Sequence, residues 1–170
     1  MESVLISIHS IWCELIANGK KIVEVRKTRP RIDTPFKCYI YCTKDKHGWF
    51  DFFRKQRLDG KVIGEFVCDK IVSLDDDALL FGLDEISDSQ IEGYSCLSLD
   101  KLFSYKGNKE FIYGWHISDL VIYDKPKELS EFRYFNPTVK FENGYPIPTH
   151  KITRPPQSWC YVEKVKEGAE

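Results

Sequence analysis

"GKKIVEVRKTRPR", residues 19–31, carries six basic side chains (Lys20, Lys21, Arg26, Lys27, Arg29, Arg31) against a single carboxylate, Glu24. Gly19 permits a sharp turn, and the alternation that follows is that of a strand. Val23 and Val25 occupy one face and belong in a core. Ile22, Glu24 and Arg26 occupy the other, and Lys21 sits at the corner, able to swing over the same space. A carboxylate beside a guanidinium holds the fork in one orientation, which a phosphate or a base edge can use. The plain alternative is an ion pair that ties the strand to its neighbours, with the remaining cations solvated.

The elements on either side fit a corner of this kind. "VLISIH" (4–9) reads as a strand. Ser10 is placed to cap a helix whose apolar positions are Trp12, Leu15 and Ile16, and Gly19 stops it. After the second strand (22–27), Pro30 and Pro35 mark a loop. "FKCYIYCTK" (36–44) is a third strand. "WFDFFRKQRL" (49–58) reads as a short helix or an aromatic loop. Asp59-Gly60 turns the chain into "KVIGEFVCDKIVSL" (61–74), the longest strand candidate. Residues 98–107 form a helix with Leu99, Leu102 and Phe103 inward and Gly107 as its stop. "FIYGWHISDLVIY" (111–123) is a strand with a bulge expected at Gly114, and "KPKELSEF" a helical turn. A proline-marked arm follows, and "SWCYVEK" (158–164) closes the chain as a strand. The expected fold class is α+β: a small, mostly antiparallel β-barrel decorated with short helices. One domain spans 1–170, with a core of about 3–123, an arm over 124–157 and the closing strand.

The 170 residues hold 25 basic and 26 acidic side chains, so net charge points to no partner, but its distribution does. Residues 19–31 are locally +5 (six basic less one acidic), whereas 75–100 carry eight acids and no Lys or Arg. Such a field steers anions to one end of the molecule. The six cysteines lie mostly inside apolar runs and no C-x-x-C occurs, which suits reduced core residues in a cytosolic protein. Cys38 and Cys42 with His47 make an incomplete metal set, so no metal and no cofactor are expected. No stretch is apolar over a membrane-spanning length, and the expected location is cytoplasmic.

The spacing G-x-K-x-x-E-x-R (Gly19, Lys21, Glu24, Arg26), after an apolar strand and an amphipathic helix, resembles the signature of the ASCH domain family, a branch of the PUA-like β-barrels. "GWHISDLVIYDKPKELSEF" and "RPPQSWCYVE" look like segments of longer ASCH proteins from bacteria and their phages. The resemblance implies a barrel with a cleft lined by Lys21, Glu24 and Arg26, and a role in binding RNA or a modified nucleotide. On that reading the cationic track continues through Lys27, Arg29 and Arg31, with Arg54, Lys55 and Arg57 as an extension. Trp49 and Trp159 are the aromatics most available for stacking; Trp115 and Tyr161 are others.

Some small ASCH proteins that the chain resembles are amidohydrolases of acetylated cytidine. In their pattern a threonine stands where this chain has Glu24, and the acidic partner falls near Ser95, where the nearest carboxylate is Glu92. Lys21, Glu24 and Glu92 are therefore the candidates for catalysis, and the departures favour binding over hydrolysis. A third reading makes the acidic segment 75–100 a docking face for a basic protein.

Overall fold

The computed structural model describes residues 3–44, 50–51, 56–81, 88–135, 141–142, 145–146 and 149–163. In chain order these hold β1 (Ser3–Ile8), α1 (Ser10–Ala17), β2 (Val23–Arg26), β3 (Phe36–Cys42), β4 (Phe50–Asp51), β5 (Gln56–Arg57), β6 (Val62–Cys68) and β7 (Ile71–Leu74). Three short helices follow, α2 (Asp76–Phe81), α3 (Asp88–Ser95) and α4 (Leu99–Lys106). Then come β8 (Ile112–His116), β9 (Ser118–Lys127), a 3-10 turn (Leu129–Glu131), β10 (Phe141–Glu142), β11 (Tyr145–Pro146) and β12 (Trp159–Val162).

Two sheets form the frame. One runs β12-β1-β3-β6-β9 and the other β2-β8-β7. Every pairing is antiparallel except β1 with β3, where α1 and β2 lie between the two strands in the chain. The fold is α+β, with the two sheets as the walls of a small barrel.

Strand alternation sorts the side chains into layers. Val4, Ile6 and Ile8 of β1, Phe36, Cys38, Ile40 and Cys42 of β3, and Trp115 of β8 point between the sheets, joined by Cys13 and Ile16 of α1. Leu5, Tyr39 and Tyr41 point the opposite way, where Phe132, Ile152 and Val162 cover them. The outer face of the small sheet, with Val23, Val25, Leu74 and Ile112, is covered by Ala78, Leu79, Ile91 and Leu102 of the three helices. Full burial of each large apolar side chain is worth about 1.5–3 kcal/mol, so the layering fixes which face of β2 turns inward. At Gly64 the strands approach so closely that a Cβ would lie 2.4 Å from the Val121 carbonyl oxygen.

Several expected elements differ in detail. Residues 61–74 are two strands, because the chain leaves the large sheet after Cys68 and enters the small one at Ile71. Residues 111–123 divide likewise: β8 belongs to the small sheet and β9 to the large. The break falls after His116, with Asp119 at φ +46°, while Gly114 pairs regularly with Val25 and Val72. Strand β9 continues to Lys127, into the segment expected as an arm. Phe50–Asp51 (β4) pairs antiparallel with Gln56–Arg57 (β5), within the stretch expected as a helix or loop. Ser10 lies inside α1, and His9 stands at the cap without a side-chain bond. The acidic stretch, by contrast, holds short helical pieces as expected, α2 and α3. Trp49, Arg54, Lys55 and His47 lie outside the described residues. Among the described residues, no helix is long and apolar enough to cross a membrane.

Candidate functional site

The corner after α1 builds the site. Gly19, at φ +68°, turns the chain, and the amides of Lys20 and Lys21 donate back to the Leu15 carbonyl. Strand β2 then carries Glu24 and Arg26 on the face opposite Val23 and Val25. Ile22, expected beside Glu24, precedes the strand and packs with the valines.

Glu24 bridges two cations. Its Oε2 lies 3.3 Å from Lys21 Nζ and its Oε1 lies 2.9 Å from Arg26 Nη2. All three side chains are buried, Lys21 to 2% exposure. Lys21 Nζ donates to the Ser95 carbonyl at 2.6 Å, and Arg26 Nη2 donates to the Ser7 carbonyl at 2.6 Å. The Lys21 ammonium also lies 5.4 Å from the centre of the Trp12 ring, within cation–π range. Two of three charges cancel, so the cluster keeps one net positive charge.

The triad forms part of the lining of a cleft of about 770 Å³. One wall holds Trp12 and His9, with His9 Nδ1 3.2 Å from Thr43 Oγ1. Another holds Tyr105 and Lys101 of α4, and Lys27 Nζ lies 5.0 Å from the Tyr105 ring centre. Burial pushes the Tyr105 hydroxyl above its usual range, Arg26 pulls against that and Glu24 adds to it. The third wall is Pro155, Pro156, Gln157 and Ser158. That segment is tied to β1 where Ser7 Oγ donates to the Pro156 carbonyl at 2.7 Å and the Ser7 amide donates to Ser158 at 2.9 Å. Among the lining residues Glu24 is the one carboxylate.

Solved structures with the same architecture carry one family name. ASCH from Zymomonas mobilis matches with a TM-score of 0.63 at 21% identity, over 95% of this chain and 88% of that one. A serine-to-alanine variant of the same protein gives 0.64 at 19%, over 95% and 89%. A tyrosine-to-phenylalanine variant gives 0.63 at 20%, over 96% and 92%. The chain has the ASCH-domain fold. With it comes the PUA-like barrel that the family resemblance implied. No family model matches the sequence, and no curated protein does.

Within this ASCH fold, Lys21, Glu24, Arg26 and Lys27 meet on one cleft. Arg29 and Arg31 lie just outside it, around a depression that shares Lys27 and Thr28 with the cleft. Trp159 is not among the cleft-lining residues. Its ring lies 6.0 Å from Trp115 and 5.3 Å from Tyr161, and its Nε1 donates to Thr28 Oγ1 at 3.0 Å, bracing the start of the track from below. Trp115 is fully buried in the core. Glu92 also points elsewhere: its Oε1 accepts from the Leu99 amide at 2.7 Å, satisfying a free N–H at the start of α4. Among the described residues no cluster of His, Cys, Asp and Glu could hold a metal.

As site residues, Tyr105 and Lys101 were not read from the sequence at all, Trp12 was read only as an apolar helix position, and 155–158 only within a segment that carries the family resemblance. Lys101 and Tyr105 are spaced i, i+4, which puts them on one side of α4, and that was a readable signal.

Proposed function

We propose that the cleft binds RNA, with an unstacked base entering between Trp12 and Tyr105 and the backbone running along Lys27, Arg29 and Arg31. One observation carries the reading: a buried Lys21–Glu24–Arg26 cluster opens into a cleft of about 770 Å³ with aromatic walls and a cationic rim. Its donors and its single carboxylate suit the mixed donor and acceptor edge of a base. The aromatic walls suit the face of a base, and the rim suits phosphates. Hydrolysis of an acylated cytidine is less well supported. Glu24 replaces the hydroxyl of that pattern, and Glu92 is spent on the start of α4.

The test is fluorescence anisotropy with short single-stranded RNAs over a range of salt. Each phosphate neutralised on a single strand contributes about 0.7 to the slope of log K against log salt. Replacing Lys27, Arg29 and Arg31 together by Ala is expected to weaken binding and flatten that slope by about 2. Binding unchanged in the triple variant, or absent from wild type at low salt, overturns the proposal. The same samples are assayed for deacylation of acetylated cytidine. Robust turnover abolished by Lys21→Ala makes the protein an amidohydrolase instead.

A further inference from the structure

Lys27, Thr28, Arg29, Pro30, Arg31 and Tyr113 line a second depression of about 460 Å³, joined to the cleft through Lys27 and Thr28. Its electrostatics differ from those of the cleft. There Glu24 offsets the buried cations; here three cations face the space and no carboxylate lines it. Among the described residues none of the three makes an ion pair, although two are held on aromatic faces. Arg29 Cζ lies 5.8 Å from the Tyr113 ring centre, and Lys27 stands over Tyr105.

The backbone here is set before any ligand arrives. Pro30 is buried, and its ring disfavours a helical backbone at Arg29. Tyr161 Oη accepts from the Arg31 amide at 2.8 Å. Trp159 Nε1 donates to Thr28 Oγ1, which leaves the Thr28 O–H free to donate in turn. Bends at Lys27 and Arg31 flank this stretch, and Lys27, Arg29 and Arg31 all line the one depression, so its donors are gathered on one concavity. Two guanidiniums, an ammonium and a hydroxyl around one concavity match the oxygens of a phosphate, which arginine takes in bidentate fashion.

We propose that this depression is a phosphate subsite. The ligand of the cleft is then a phosphorylated nucleotide or strand, with its phosphate on Arg29 and Arg31 and its base reaching the cleft past Lys27. The base half of this statement rests on the RNA reading above; the phosphate half does not. A free nucleoside would leave the three cations of the depression unused, so the site selects against it.

Two titrations of the full chain test the proposal. In the first, the isotopically labelled protein is followed by NMR as inorganic pyrophosphate is added. Saturable shifts are expected at the amides of Thr28, Arg29 and Arg31, with binding at least about tenfold weaker in Arg29→Gln/Arg31→Gln. Both arginines are exposed, so the variant should keep the wild-type spectrum elsewhere. Shifts centred on Lys21 and Arg26, or no saturation, overturn the subsite. In the second, cytidine is compared with its 5′- and 3′-monophosphates. One monophosphate is expected to bind at least about tenfold tighter than cytidine, and the double variant to erase the gain. Equal binding of all three, or a gain that survives the double variant, refutes the subsite and leaves the base cleft standing. Pyrophosphate at the depression without binding of any nucleoside or RNA upholds the subsite and removes the RNA reading.

Discussion

Replacing Glu24 by Gln keeps the shape of the side chain and removes only its charge. Lys21 and Arg26 would remain buried at 2% and 8% exposure with no countercharge between them. Each keeps one backbone carbonyl, that of Ser95 for Lys21 and that of Ser7 for Arg26. Arg26 has little in reserve, since its Nε already finds no partner among the described residues. Removing one member of a buried ionic group costs about 3–5 kcal/mol, because the charges left behind are neither hydrated nor paired. The cleft admits water to one side of the cluster, which argues for the lower end, about 3 kcal/mol. For a chain of this size that is a drop in Tm of roughly 6–12 °C. Urea unfolding should show a lower midpoint at unchanged slope. A double-mutant cycle sharpens the argument: Lys21→Met with Glu24→Gln should cost clearly less than the sum of the single changes, since one orphaned cation is gone. A Glu24→Gln protein as stable as wild type, or strictly additive single changes, would refute the claim that the three charges act as one unit.

Gly64→Ala should destabilise the protein by about 3 kcal/mol in urea unfolding, because the new methyl meets backbone rather than a flexible side chain. Glu65 gives a pH signature. Burial alone would raise its carboxyl, but the hydrogen bonds from Lys37 (2.5 Å) and Tyr123 outweigh it and hold the group below its ordinary value of 4.5. A depressed folded-state value means the contribution is fully present above the unfolded value and is lost as pH falls through the folded one. The stability gap between wild type and Glu65→Gln should therefore be constant near neutrality and shrink below pH 4.5, and a gap independent of pH would count against these bonds. Burial pushes the Cys68 thiol up to about 12 and the Cys160 thiol up to about 11, and raises Cys13 and Cys38 well above the usual range. A thiol reagent at pH 8 should leave these four unmodified in the native protein and react with them only after denaturation.

The local part of the site was legible in the sequence, and the distant part was not. Alternation along residues 22–27 separated Val23 and Val25 from Glu24 and Arg26 because a strand has one period and the valines must be buried. The same rule says nothing about where a strand changes sheets. Residues 61–74 and 111–123 read as continuous strands because their breaks, at Asp69-Lys70 and after His116, lie within runs of β-forming residues without proline. Glu92 was read by its distance along the chain from Ser95, yet its carboxylate turns to the Leu99 amide. The wall at 155–158 gave no local sign of its role, because its partner, Ser7, lies about 150 positions earlier in the chain.

That separation has a consequence for how the protein is made. Strand β1 leaves the ribosome about 150 residues ahead of β12, which pairs along one of its edges. At roughly 5–20 residues per second, the interval between them is on the order of 8–30 s. Throughout it, the nascent chain carries β1 with an open row of amides and carbonyls, the kind of edge that recruits strands from other chains. The cleft has no third wall during the same interval. Any affinity that depends on residues 155–158 therefore begins only after translation has passed them, and a chain stalled earlier would present the Lys21–Glu24–Arg26 cluster to water.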